Sequence, residues 1–138
     1  METRHGILMV VGLLSDFFLA TSEELTSIDL AVGPASRLAT VQAKGFDPVE
    51  LVSLEARLRS IPGDAVDQPT LMDNGDTTVV ALSVGFRDAL AAVDRVALSK
   101  FAEEWFLSDD EVATLGQVAD LARRGKTDGR DLYVWLSL

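Results

Sequence analysis

The sequence predicts an α+β domain in which a small mixed or antiparallel sheet of about four strands packs with about five helices. Three observations carry this. Segments of strand character, rich in aromatic and aliphatic residues, stand near both ends of the chain, DFFLA at 16–20 and DLYVWLSL at 131–138. A β-branched run, TTVVAL at 77–82, follows the turn signal DNGD at 73–76, a combination that reads as one arm of a hairpin. The stretches between open on helix caps and repeat apolar residues at helical spacing. Helices grouped apart from strands, without regular alternation, place a chain in the α+β class. At 138 residues it is expected to form a single domain, 1–138, large enough for one core.

The first element is the strand at the end of ILMVVGLLSDFFLA, residues 7–20. A membrane-spanning helix needs about 20 apolar residues, and Ser15 and Asp16 interrupt this run too early. A secretory leader is the other alternative, with Arg4 as its positive start and Ala20-Thr21-Ser22 as small residues at a cleavage point. Glu2 offsets Arg4, however, and Asp16-Phe17-Phe18 puts a charge and two rings just before that point. Thr21 and Glu24 follow at capping-box spacing, so strand into capped helix is the favoured reading. Residues 1–9 are read as a flexible N-terminal extension, and Met9 is a second candidate start.

The first helix is expected over 22–30, stopped by Gly33-Pro34. A connector runs from Gly33 to Gly45, with an extended piece at 40–43. FDPVELVSLEARLRS then offers Asp47 as N-cap, Pro48 at the first helical position and Glu50 at capping-box spacing. Leu51, Val52, Leu54 and Leu58 form its core face, with Glu50, Glu55, Arg57 and Arg59 elsewhere, and Ile61-Pro62-Gly63 ends it. Residues 69–72 pair with the strand at 77–82. A helix follows at 86–93, and Asp94 caps another at 95–106 with an amphipathic face of Leu98, Phe101, Ala102, Trp105 and Phe106. Ser108 and Glu111 open a last helix that ends with Arg123 and Arg124 before Gly125, complementing the helix dipole. The closing strand is apolar nearly throughout, so it is expected in the middle of the sheet.

The net charge of −10 argues against nucleic acid and against anionic membrane surfaces, both of which demand basic side chains. A basic protein partner or a cation suits it. The chain has no cysteine, which removes disulfides, thiol catalysis and thiolate metal sites. With His5 as the one histidine, no metal and no cofactor are expected. A cytoplasmic location is expected.

Most catalytic signals fail on inspection. Ala81-Leu82-Ser83-Val84-Gly85 resembles the nucleophile elbow, with alanine in place of its first glycine. No histidine follows Ser83 to serve as base, so Ser83 is read as a helix cap. Gly125-Lys126-Thr127 matches the end of a phosphate-binding loop, but Asp120 stands where that loop needs glycine. Arg123, Arg124, Lys126 and Arg130 are read as a helix terminus and turn. Glu103, Glu104, Asp109, Asp110 and Glu111 are read first as a solvated, dipole-matched face; Glu103, Glu104, Asp109 and Asp110 are the candidate partner-binding residues. Asp16 is costly among apolar neighbours unless it faces outward or pairs with Arg37 or Lys44. Asp16, Arg37, Gln42 and Lys44 are therefore the candidate ligand-binding residues, the last three lying on a surface connector of the kind that often carries function.

GLLSDFFLATSEEL at 12–25, the helix-rich middle and LYVWLSL at 132–138 resemble small bacterial proteins of the YfbM-like kind, and TVQAKGFDPVEL at 40–51 looks like a block recurring in small bacterial proteins. The resemblance implies a single-domain α+β fold, assigns no activity and transfers no functional residue. The leading expectation is a non-enzymatic interaction module with an acidic surface, docking a basic protein as immunity-type or regulatory proteins do. The alternatives are a small-molecule-binding protein or hydrolase using Ser83 or the Gly33 to Gly45 connector, and a homo-oligomer joined through Trp105 and Phe106.

Overall fold

The central strand β5 (Asp131–Ser137) buries five successive residues, Leu132 to Leu136, as a strand covered on both faces must. In the computed structural model, which describes residues 14–30, 33, 34, 38–44, 46 and 48–137, it is the middle of a five-stranded sheet. β1 (Leu14–Ala20) lies on one side and β4 (Thr77–Ala81) on the other, with β2 (Thr40–Lys44) and β3 (Thr70–Asp73) at the edges. Every neighbouring pair is antiparallel. The expected α+β class and single sheet are found. The strand beyond the expected four is β2, which occupies the extended piece expected at 40–43; its TVQAK sequence has little apolar signal and joins through its backbone ladder with β1.

Among the described residues, five helices accompany the sheet: α1 (Ser22–Thr26), α2 (Pro48–Arg59), α3 (Val84–Ala92), α4 (Arg95–Glu104) and α5 (Asp109–Asp128). A short 3-10 turn, Gly63–Ala65, follows α2. The capping signals on described residues hold. Thr21 and Ser108 each form the reciprocal capping box, while Ser83 and Asp94 accept from the amides of Phe86 and Ala97. Asp47, the expected cap of α2, lies outside the described residues, as do 1–13.

Three helix ends differ from expectation. α1 stops at Thr26, where the Ser27 amide donates a hydrogen bond to the Glu24 carbonyl, and Ile28 and Leu30 pack on the sheet instead. α4 stops at Glu104, two residues before the expected end. α5 runs past Gly125 to Asp128, and Gly129, at φ 71°, is its left-handed cap. Gly125 is a packing glycine: a Cβ there would stand 2.6 Å from Leu19 Cδ2 and 2.9 Å from the Arg130 carbonyl. Close approach of helix to sheet is what the missing side chain permits.

One sheet face carries the main core, in which Phe17, Leu19, Leu132 and Val134 meet Leu51, Leu54, Phe86, Leu90, Leu115 and Val118 from the helices. The other holds Phe18, Ala20, Val79, Tyr133 and Trp135, packed against Leu25, Ile28, Leu30 and Leu38. Phe18 and Tyr133 stack at 5.6 Å. The carbonyl of Leu30 accepts from Trp135 Nε1 at 2.9 Å and Thr77 Oγ1 at 2.8 Å. Gly33, at φ 90°, lies flat against the indole, where a Cβ would be 3.0 Å from the ring. In the β3–β4 connection only Gly75 is left-handed; Asn74 instead accepts from the amides of Asp76 and Thr77 through its side chain.

Candidate functional site

The acidic corner between α4 and α5 is built by two opposed signals. Ser108 must sit outside α5 as its cap, so the chain has to leave α4 within a few residues. It does so through a Schellman closure: the Phe106 amide donates to the Glu103 carbonyl at 3.3 Å and the Leu107 amide to Ala102 at 2.9 Å. That closure puts Phe106 at φ 54°, where a side chain other than glycine costs about 1–2 kcal/mol. Leu107 turns back onto the core. Trp105 stacks on Phe101 at 5.9 Å and remains 37% exposed, while Phe106 is 93% exposed.

The expected amphipathic face of 95–106 is therefore corrected at its end. Leu98, Phe101 and Ala102 are buried, but Trp105 and Phe106 are exposed, because a helical projection does not apply beyond the residue where the helix stops. The signal that finds this is Ser108: a cap there leaves no room for a helix through 106.

Carboxylates flank the exposed rings. Glu103 and Glu104 close α4, whose last turn has no basic residue, so they stand at the negative end of the helix dipole. Glu104 pairs with Arg57 of α2. Asp109, Asp110 and Glu111 occupy the favourable first turn of α5, and Glu111 accepts from the Ser108 amide. The four expected partner-binding residues, Glu103, Glu104, Asp109 and Asp110, are exposed and fall at this corner.

The ligand-binding candidates separate. Asp16 and Gln42 are register partners on β1 and β2, and Trp135 is the partner of Asp16 on the other side. These three line a concavity of about 770 Å³ with Leu14, Asp110 and Glu111 among its walls. Asp16 is half-buried, has no ion pair among the described residues, and its carboxyl is pushed above the usual carboxylate range by burial. Lys44 stands opposite Leu14 in the register. Arg37 and the side chain of Lys44 lie outside the described residues.

Ser83 has the strand-to-helix position of a nucleophile elbow but the bonding of a cap. Its backbone is ordinary, with φ −65°, and its hydroxyl accepts from the Phe86 amide at 3.0 Å. It donates to Glu55 Oε2 at 2.9 Å. Glu55, placed on the polar side of α2 by the sequence reading, is fully buried. Its spacing of four from Leu51 and three from Leu58 puts it on the core face, a signal the charge concealed. Arg59, Gln68 and Ser83 satisfy both carboxylate oxygens, as a buried charge demands. His5 lies outside the described residues.

The basic cluster is dispersed. Gly125, Lys126 and Thr127 are inside α5, so no phosphate-binding loop exists there. Arg123 caps the Ala91 and Val93 carbonyls and pairs with Asp120, Arg124 pairs with Asp128, and Arg130 with Glu24. Among the described residues, no group of three or more His, Cys, Asp or Glu is arranged to hold a metal ion, and no helix is long and apolar enough to cross a membrane.

No family model matches the sequence, and no curated protein and no solved structure matches it either.

Proposed function

We propose that the chain is a non-enzymatic interaction module that docks a basic protein through its acidic surface, in the manner of immunity-type or regulatory proteins. The observation that carries this reading is the α4–α5 corner. There, exposed Glu103, Asp109 and Asp110 make no ion pair among the described residues, on a chain of net charge −10. Such a field speeds encounter with a cationic partner and selects its sign. Second copies of the chain and anionic membranes would be repelled by the same charge. A cytoplasmic location goes with this reading, and imaging of a tagged chain tests it.

Co-purification from native cells tests the docking. Retained basic proteins should be released as added salt shortens the Debye length from about 10 Å towards 3 Å. Retention that ignores salt, or retention of no basic protein, would overturn the reading.

A second reading, a small-molecule-binding protein, is favoured by the half-buried Asp16, which has no ion pair among the described residues, in the concavity beside Trp135. Carboxylates against an indole suit a compact organic diamine. Titration with putrescine should change tryptophan fluorescence in the wild type and leave Asp16→Asn unaffected. No change in the wild type would remove this reading.

A further inference from the structure

We infer that Phe106 is the anchor of the docking surface, an outward-pointing ring that seats against an apolar patch bordered by lysine or arginine on the partner. This rests on the reading above that the partner is a basic protein, and it adds where and how that protein is held.

The inference begins from what Phe106 does not do for the fold. At 93% exposure its ring buries almost nothing, so it contributes no core energy. Its backbone is left-handed, a conformation that favours glycine. The same chain shows the ordinary solutions: Ser60 after α2 and Gly129 after α5 are also left-handed, and both are small. At 106 alone among these three helix ends is the residue large and apolar. Glu103, three positions earlier, also gains nothing from its place at the negative end of α4. Two residues are thus held against the interest of the isolated fold, the pattern expected where a surface is used for something else.

The backbone that carries the ring is also held at a fixed point. Its amide is bonded to Glu103, the next amide to Ala102, Leu107 is packed into the core and Trp105 is stacked on Phe101. An anchor on a fixed backbone loses less freedom on binding. The flanking charges choose the occupant. Glu103, Asp109 and Asp110 stand within four positions of the ring, so an ammonium or guanidinium beside the patch meets a carboxylate or the ring face.

Two synthetic helical peptides of equal positive charge test this by calorimetry at low salt, one with leucine along the face opposite lysine and one with serine there. The wild type should bind the leucine peptide about tenfold or more tightly than the serine peptide. Phe106→Gly and Phe106→Asn, which both tolerate the left-handed backbone, should lose that preference and keep the serine-peptide affinity. Glu103→Gln/Asp109→Asn should weaken both peptides alike. The thermal midpoint of Phe106→Gly should equal the wild type or exceed it by up to about 4 °C. Equal binding of the two peptides by wild type overturns the anchor and leaves the basic-partner reading standing. Failure of both peptides to bind overturns that reading as well. A retained preference in both Phe106 variants, or midpoints lowered in both by several degrees, also overturns the anchor.

Discussion

The hydroxyl of Ser83 donates to the fully buried carboxylate of Glu55 at 2.9 Å, tying the N-terminus of α3 to the middle of α2. One hydroxyl thus serves as helix cap and as partner to a buried charge, and Arg59 and Gln68 complete the knot. Leaving buried polar groups without a partner costs about 1–3 kcal/mol. Glu55→Ala should lose about that much by urea unfolding, because it strands Ser83 and Gln68 while Arg59, 31% exposed, can be hydrated. Ser83→Ala should lose about 1–2 kcal/mol as a cap. The two changes together should cost less than their sum, since the second removes a group already orphaned.

Two glycines of α5 should respond with opposite sign to alanine. A Cβ at Gly116 meets nothing within 4 Å, so Gly116→Ala should stabilise by up to about 1 kcal/mol through helix propensity. At Gly125 the same methyl strikes Leu19 and the Arg130 carbonyl, so Gly125→Ala should destabilise by about 1–3 kcal/mol. Thermal unfolding of the pair checks both. Equal shifts would mean that α5 does not lie against β1 as described.

Acid should loosen α1 in a defined window. The Arg130 guanidinium and then the Thr21 amide hold the Glu24 carboxyl down at about 2, from an ordinary 4.5. A depressed acid stabilises the folded state above its unfolded value. That contribution is lost as pH falls from about 4.5 through 2. Arg130→Gln should shrink this part of the pH dependence without abolishing it, since the Thr21 amide still donates to Glu24, measured as stability against pH for variant and wild type.

Asp16 should act in the other direction. Burial raises its carboxyl, so the folded state holds the proton more tightly than the unfolded chain and stability falls as pH rises through and above the ordinary 3.8. Asp16→Asn should therefore be more stable than wild type at neutral pH, with the advantage shrinking in acid. A loss of stability at neutral pH would mean that the carboxylate has a partner worth more than its burial.

Much of the architecture is legible in the residues. Thr21, Ser83, Asp94 and Ser108 announce helix starts through local hydrogen bonds that need no distant partner, and all four are found as caps. The central place of β5 follows from an apolar run that only a doubly covered strand can hide. The site was less legible. Residue types alone group Asp16 with Gln42, but their meeting is a matter of register between strands whose paired residues lie more than twenty positions apart.

What the sequence determined by itself was whatever short-range chemistry decides: caps, the α+β class, the hairpin, the acidic character of the α4–α5 corner. Tertiary structure decided which exceptions matter. It buried Glu55 because three partners converge on it, and it left Asp16 half-covered with no ion pair among the described residues. It carried α5 past Gly125, because the helix presses on Leu19 there. It turned Phe106 outward because the Schellman closure before Ser108 ends the helix first. Periodicity projects a face only for as long as the helix continues, and its end was set by the cap of the next one.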